Sequence, residues 1–263
     1  MSLRCKKKGK PTLKTKYVAL IFVIVFASCV TISFFFHKDN IKEVLCGYTT
    51  KNLPIYGVER SDKHISISFD CAWGNEYTDQ LLAVMKEYNV KCTFFAVSFW
   101  VEKYPDEVKK IIDAGHEIGT HSKSHSYMSK QSENEIIEEL EYSIKAIELA
   151  SGTKVQLFRP PYGDYDNLLI DCAQKLGLYT IQWSVDSLDW KNLSGNEIAM
   201  RVISKVKSGS IILCHNNGLH TAESLPLIFA DLQAKGYTFV KISDLIYKDG
   251  YKIANDGTQI KIN

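Results

Sequence analysis

Along most of this chain the spacing of apolar positions changes period again and again. A short apolar stretch suited to a strand is followed by a polar turn, and then by apolar positions at helical spacing. "ISISF" from residue 65 predicts a strand, and Leu81, Leu82, Val84, Met85 and Tyr88 predict a helix over 77–88. "CTFFAV" is the next strand. A helix over 105–115 opens on Pro105 and closes at Gly115, and "HEIGTHS" follows it. A long helix over 133–150 stops at Gly152, then come strand "QLFRPP", a helix over 167–176 and strand "YTIQWSVD". Helix "NEIAMRVISKVK", strand "SIILCH", helix "SLPLIFADLQAKG" and strand "TFVKI" end the series. Such alternation predicts an α/β domain of parallel strands with helices outside. With roughly seven units, a single barrel is the economical closure, although an open doubly wound sheet has the same local signature. Segment 38–62 lacks this rhythm and reads as a tether or as a strand packed beneath the barrel. Asn255, Asp256 and Gly257 predict a small terminal hairpin.

Before this pattern begins, residues 17–36, "YVALIFVIVFASCVTISFFF", form a run of 20 residues without a charge, enough for a helix to cross a membrane. Arg4, Lys6, Lys7, Lys8, Lys10, Lys14 and Lys16 precede it. The expected organisation is a basic cytoplasmic tail (1–16), a single-pass transmembrane anchor (17–36), a linker (37–62) and one domain (63–263) outside the cytoplasm at the cell membrane. A cleaved signal peptide is the rival reading, but its apolar region is shorter and no A-x-A site stands here.

Charge separates these parts. Seven of the 32 Lys and Arg lie before position 17, so the remainder carries 25 against 30 Asp and Glu. A mildly acidic body argues against nucleic acid as a partner, and nothing in the chain points to a protein partner. The 7 cysteines show no CxxC spacing or paired clustering, so no disulfide framework is expected.

Polar residues fall at the ends of the strands. Asp70, His121, His125, Arg159, Asp186 and His215 each sit at or just beyond the carboxyl end of a predicted strand, where parallel barrels assemble their sites. His121 and His125, spaced i and i+4, would meet on one face of a helical turn, and neutral imidazole suits Zn, Co or Ni.

"SFDCAWG", "THSKSH", "RPPYGDYD", "DSLDW" and "ILCH", in this order, resemble the five motifs of the polysaccharide deacetylases of carbohydrate esterase family 4, the NodB-homology fold. The resemblance runs over about residues 64–245, and the Trp-Gly pair after the first motif is similar to sporulation-associated, cell-wall-directed members. It implies a distorted, incomplete (β/α)7 barrel and a metal-dependent hydrolase removing N-acetyl groups from peptidoglycan or a related amino-sugar polymer. By the family pattern, Asp70 would be the base, His121 and His125 metal ligands, and Arg159 the partner that orients Asp70. The Tyr162 N–H would stabilise the oxyanion. His215, favoured in its protonated form by Asp186, would be the acid, and Trp190 and Leu213 would enclose the acetyl methyl.

This sequence departs from the pattern at Cys71, where the family has an Asp that is the third metal ligand. Cys71 could supply a thiolate, a water could take the place, or the site could work without metal. Two functions therefore follow: a membrane-anchored deacetylase, or a cell-wall glycan-binding protein that keeps the fold and has lost most catalysis.

Overall fold

The computed structural model describes residues 52–262. The basic segment 1–16, the apolar segment 17–36 and residues 37–51 lie outside the described residues, and among those described no helix is long and apolar enough to cross a membrane.

The strands are β1 (Gly57–Val58), β2 (His64–Cys71), β3 (Thr93–Ala96), β4 (Glu117–Thr120), β5 (Leu157–Phe158), β6 (Tyr179–Thr180), β7 (Val185–Asp186), β8 (Ile211–His215), β9 (Thr238–Phe239), β10 (Tyr251–Ile253) and β11 (Thr258–Lys261). The helices are α1 (Thr78–Glu87), α2 (Ser98–Lys103), α3 (Pro105–Asp113), α4 (Glu133–Ser151), α5 (Asn167–Lys175), α6 (Gly195–Ile203), α7 (Thr221–Ala234) and α8 (Ile242–Leu245). Their boundaries follow local chemistry. Pro105 opens α3, Gly152 ends α4 with φ 67°, and Ser194 and Glu197 form a reciprocal capping box at α6.

Seven parallel strands run in the order β6-β5-β4-β3-β2-β8-β7, with β9 also pairing to β2. The stretch "YTIQWSVD", expected as one strand, is divided between the two ends of this sheet: β6 pairs with β5 and β7 with β8. Flat, seven strands would separate their outer members by about 29 Å. The chain from Thr180 to Val185 spans at most about 18 Å. The sheet is therefore curled, and since β6 and β7 are not paired with each other, it is an incomplete barrel.

Part of the expected linker belongs to the fold. Ile55 and Val58 are buried, β1 pairs with β11, and Ile55 bridges to Ile181 while Gly57 bridges to Ser210. Of the two readings for this segment, the strand packed beneath the barrel holds for these residues, and the domain extends upstream of residue 63. The terminal hairpin forms from β10 and β11.

The pleat of β2 sorts its side chains onto two faces. Ile65, Ile67, Phe69 and Cys71 face the helices, in one apolar cluster with Phe94 and Ala96 of β3, and Phe69 stacks on Phe94 at 5.2 Å. Each large side chain buried there contributes about 1.5–3 kcal/mol. Asp70 lies on the other face, in register with Phe95 and His215.

Candidate active site

Strand β2 ends by presenting Asp70 inside the curl. The Arg159 guanidinium donates from Nη1 to Asp70 Oδ1 at 2.7 Å and from Nη2 to the Gln182 carbonyl at 3.2 Å. Arg159 is fully buried and lies over the Phe95 ring at 4.1 Å, so its charge is fixed in place by stacking and by a carboxylate. Burial raises the pKa of Asp70, but Arg159, together with His121 and His215, outweighs it and holds the carboxyl below its ordinary value.

His121 follows β4. Its Nδ1 donates to the Arg159 carbonyl at 2.7 Å, which leaves Nε2 as a lone pair 3.5 Å from Asp70 Oδ2. His125 approaches to 4.9 Å between ring centroids. The pairing does not come from a helical turn, as the i, i+4 spacing suggested. Ser122 and His125 adopt φ 74° and 56°, and a tight loop brings the rings together. Glu139 of α4 accepts the N–H groups of Lys123 and Ser124, and Ser122 Oγ accepts that of His125. Burial lowers the pKa of both imidazoles, to about 4 for His125, where His121 adds to the effect. They are neutral near pH 7.

On the neighbouring strand β8, His215 Nδ1 donates to Asp189 Oδ1 at 2.7 Å. Asp189 Oδ2 accepts the His215 N–H and the Thr221 hydroxyl, each at 2.7 Å. Burial would lower the His215 pKa, but the hydrogen bond and charge of Asp189, with the charges of Asp70 and Asp186 added, outweigh this and raise it. The hydrogen-bond partner of His215 is Asp189, while the expected Asp186 adds to the raised pKa through its charge alone. Its carboxylate accepts the Leu188 N–H, an Asx turn that directs the chain so that Asp189 reaches His215. Asp189 lies within the same "DSLDW" motif as Asp186, and the sequence reading chose Asp186 and missed it.

Tyr162 sits in a tight turn with φ 60°, its ring 4.6 Å from that of His125. Leu213 is buried two residues before His215 on the same face of β8. Trp190 is exposed beside Asp189.

Cys71 is corrected as a metal ligand. It faces the helices, fully buried, with Sγ 3.8 Å from the Phe69 carbonyl. Burial pushes its thiol pKa well up, with the Asp70 charge adding to it, so a thiolate is disfavoured. Among the described residues no three His, Cys, Asp or Glu side chains group as a metal cage. Two imidazoles nevertheless fit a divalent ion: both are neutral, His121 has a free Nε2, and the buried His125 Nδ1 has no hydrogen-bond partner.

Comparison with known proteins agrees with this geometry. Residues 57–181 match the polysaccharide deacetylase family model. A peptidoglycan-N-acetylglucosamine deacetylase of Bacillus cereus is 34% identical over 209 residues, 76% of this chain and 93% of that protein. An uncharacterized Bacillus subtilis protein is 35% identical over 193 residues, 73% of this chain but 60% of its own length. A carbohydrate esterase family 4 pseudoenzyme from Bacillus anthracis superposes with a TM-score of 0.72 at 34% identity, covering 74% of this chain and 69% of that one. A mutant of that pseudoenzyme has restored enzymatic activity. The chain belongs to the polysaccharide deacetylase family.

Proposed function

We propose that this protein is a metal-dependent N-deacetylase of peptidoglycan amino sugars, anchored through residues 17–36 with its domain outside the cytoplasm. The observation that carries this reading is the pairing, on adjacent strands, of Asp70 ion-paired to Arg159 with His215 hydrogen-bonded through Nδ1 to Asp189. Arg159 lowers the pKa of the one and Asp189 raises that of the other, the opposite shifts that a base and an acid need. Asp70 takes a proton as water attacks the acetamido carbonyl, and His215 gives one to the departing amine, so acetate and a free amino sugar leave. The Tyr162 N–H donates toward the oxyanion, and Leu213 supports an apolar wall for the methyl. A divalent metal held by His121 and His125, with Zn the first candidate and Co or Ni the alternatives, would supply Lewis-acid polarisation of the carbonyl. The resemblance carried by Trp73 and Gly74 adds a sporulation-associated setting to the proposal.

Acetate release from peptidoglycan fragments, measured on the full chain with and without added Zn or Co, tests this. Asp70→Asn should lower turnover by roughly 10²- to 10⁴-fold, since it removes the base, while metal uptake by the two imidazoles stays close to that of the parent. One observation favours a second reading, a glycan-binding protein with little catalysis: Cys71 turns its side chain away and leaves two imidazoles where the family has a third ligand. No acetate at any metal concentration, together with retained binding to peptidoglycan, would establish that reading instead.

A further inference from the structure

Between β6 and β7 the chain crosses from one end of the curled sheet to the other, and the buried Gln182 in that crossing bonds to three separate parts of the domain. Its N–H donates to the Ile55 carbonyl at 2.8 Å, and the Ile55 N–H donates to the Thr180 carbonyl at 2.9 Å, so the segment that enters the domain lies along the crossing as a strand would. Its carbonyl accepts from Arg159 Nη2 at 3.2 Å. Its side-chain Nε2 donates to the Gly163 carbonyl at 3.1 Å. Two of these bonds reach residues of the candidate site. Arg159 Nε has no hydrogen-bond partner among the described residues, so the guanidinium is aimed by Asp70 at Nη1 and by the Gln182 carbonyl at Nη2. On the other side, Tyr162 and Gly163 take φ 60° and 67° in succession. A left-handed non-glycine residue such as Tyr162 costs about 1–3 kcal/mol and persists where its surroundings hold it. The turn is packed directly on the crossing, since a Cβ on Gly163 would stand 2.9 Å from the Trp183 ring and 3.3 Å from Gln182 Oε1.

We propose that Gln182 is a positioning residue for the reaction, acting through Arg159 on the base Asp70 and through Gly163 on the Tyr162 N–H, and so fixing the distance between them. This rests on the deacetylase reading, in which the base takes its proton while the N–H meets the oxyanion. Both groups must stand in place in the same transition state, and small misplacements of either slow it. The two links divide between main chain and side chain. The link to Arg159 uses the Gln182 carbonyl and survives any side-chain replacement that leaves the backbone in place. The link to the Tyr162 turn uses the side-chain amide and is lost with it. Ile55 anchors the whole arrangement from outside, which gives the segment upstream of β1 a part in the geometry of the site.

The test uses the full chain in detergent solution, with amide hydrogen exchange read by mass spectrometry and acetate release followed on N-acetylglucosamine oligomers. Gln182→Met keeps the length of the side chain and removes its donor. Exchange in the turn at 162–164 should become about tenfold faster, the effect of one lost hydrogen bond, while segments from β2 and β8 exchange as in the parent. In the same variant kcat should fall about tenfold with KM within about twofold, and the acid limb of the kcat/KM profile should stay in place because Arg159 keeps its main-chain acceptor. Gln182→Glu has the parent's shape and can donate to the Gly163 carbonyl only when its carboxyl is protonated. Its excess exchange in the turn, relative to the parent at the same pH, should shrink as pH falls. Exchange that rises equally in all segments, or an excess in Gln182→Glu that ignores pH, overturns the positioning role. If the turn loosens in the variants but neither they nor the parent release acetate, the link from Gln182 to the turn stands and the deacetylase reading falls. If the parent releases acetate and Gln182→Met matches it in kcat, the reading stands and the positioning role falls.

Discussion

Asp189 satisfies three donors with two oxygens, and that geometry favours the protonated ring that the proposed reaction needs of His215 as its acid. A carboxylate on Nδ1 leaves Nε2 turned elsewhere and favours the charged ring, so the proton persists to higher pH than on a free imidazole. Activity that needs this proton is lost as pH rises through the raised pKa. Asp189→Asn removes the charge, so the alkaline limb of the kcat/KM profile should move to lower pH, with a loss of roughly a hundredfold at neutral pH. On the acid side, the depressed Asp70 pKa keeps the base ionised below the usual carboxylate range, and Asp189→Asn should move that limb much less. Cys71 gives the opposite case, a residue beside the site in sequence whose side chain lies on the other face of its strand. Cys71→Ala should keep metal uptake and acetate release within about twofold of the parent, and cost about 1 kcal/mol of stability in a denaturant titration for the small cavity left behind. Loss of metal in that variant would restore the thiol as a ligand.

Among the elements, the short strand at 57–58 is held by backbone contacts that leave no room for a side chain. The Val58 N–H donates to the Gly209 carbonyl at 2.9 Å, and the Gly209 N–H to the His64 carbonyl at 2.8 Å, so Gly209 joins β1 to β2 just before β8. A Cβ on Gly209 would stand 1.6 Å from the Val58 carbonyl oxygen, and φ there is 78°. Both backbone strain and collision fall on main-chain atoms that cannot rotate aside. Gly209→Ala should therefore lower stability by about 3 kcal/mol, seen as a lower denaturant midpoint at unchanged slope. A change of less than about 0.5 kcal/mol would mean that β1 is free to move off the barrel. Helix α4 acts at the same scale, because Glu139 on its side accepts two loop amides and sets how close His125 comes to His121.

For the whole molecule, charge and hydropathy set a direction. Seven basic residues precede the apolar segment 17–36, and the remaining chain is mildly acidic. The proposed orientation puts residues 1–16 in the cytoplasm and the domain outside. Protease added to intact cells should remove the domain while a tag fused at the amino terminus stays protected. A domain that survives while a known external protein is cut would reverse the orientation.

The strand-helix rhythm, the helix limits at Pro105 and Gly152, and the carboxylate at the tip of β2 were legible in the sequence, because each depends on neighbours a few residues away. His121, His125, Arg159 and His215 could be placed on one rim for the same reason, since a parallel sheet puts the ends of its strands together. Only tertiary structure decided that "YTIQWSVD" divides between the two ends of the sheet, because pairing partners at β5 and β8, not the apolar run itself, draw its halves apart. Likewise, the choice of Asp189 over Asp186 depends on an Asx turn, and the closeness of His121 and His125 on a left-handed loop rather than a helix. Position 71 makes the same point. Sequence places a sulfur next to the base, and the pleat of β2, fixed by its pairing with β3 and β8, carries that sulfur into the apolar layer under the helices.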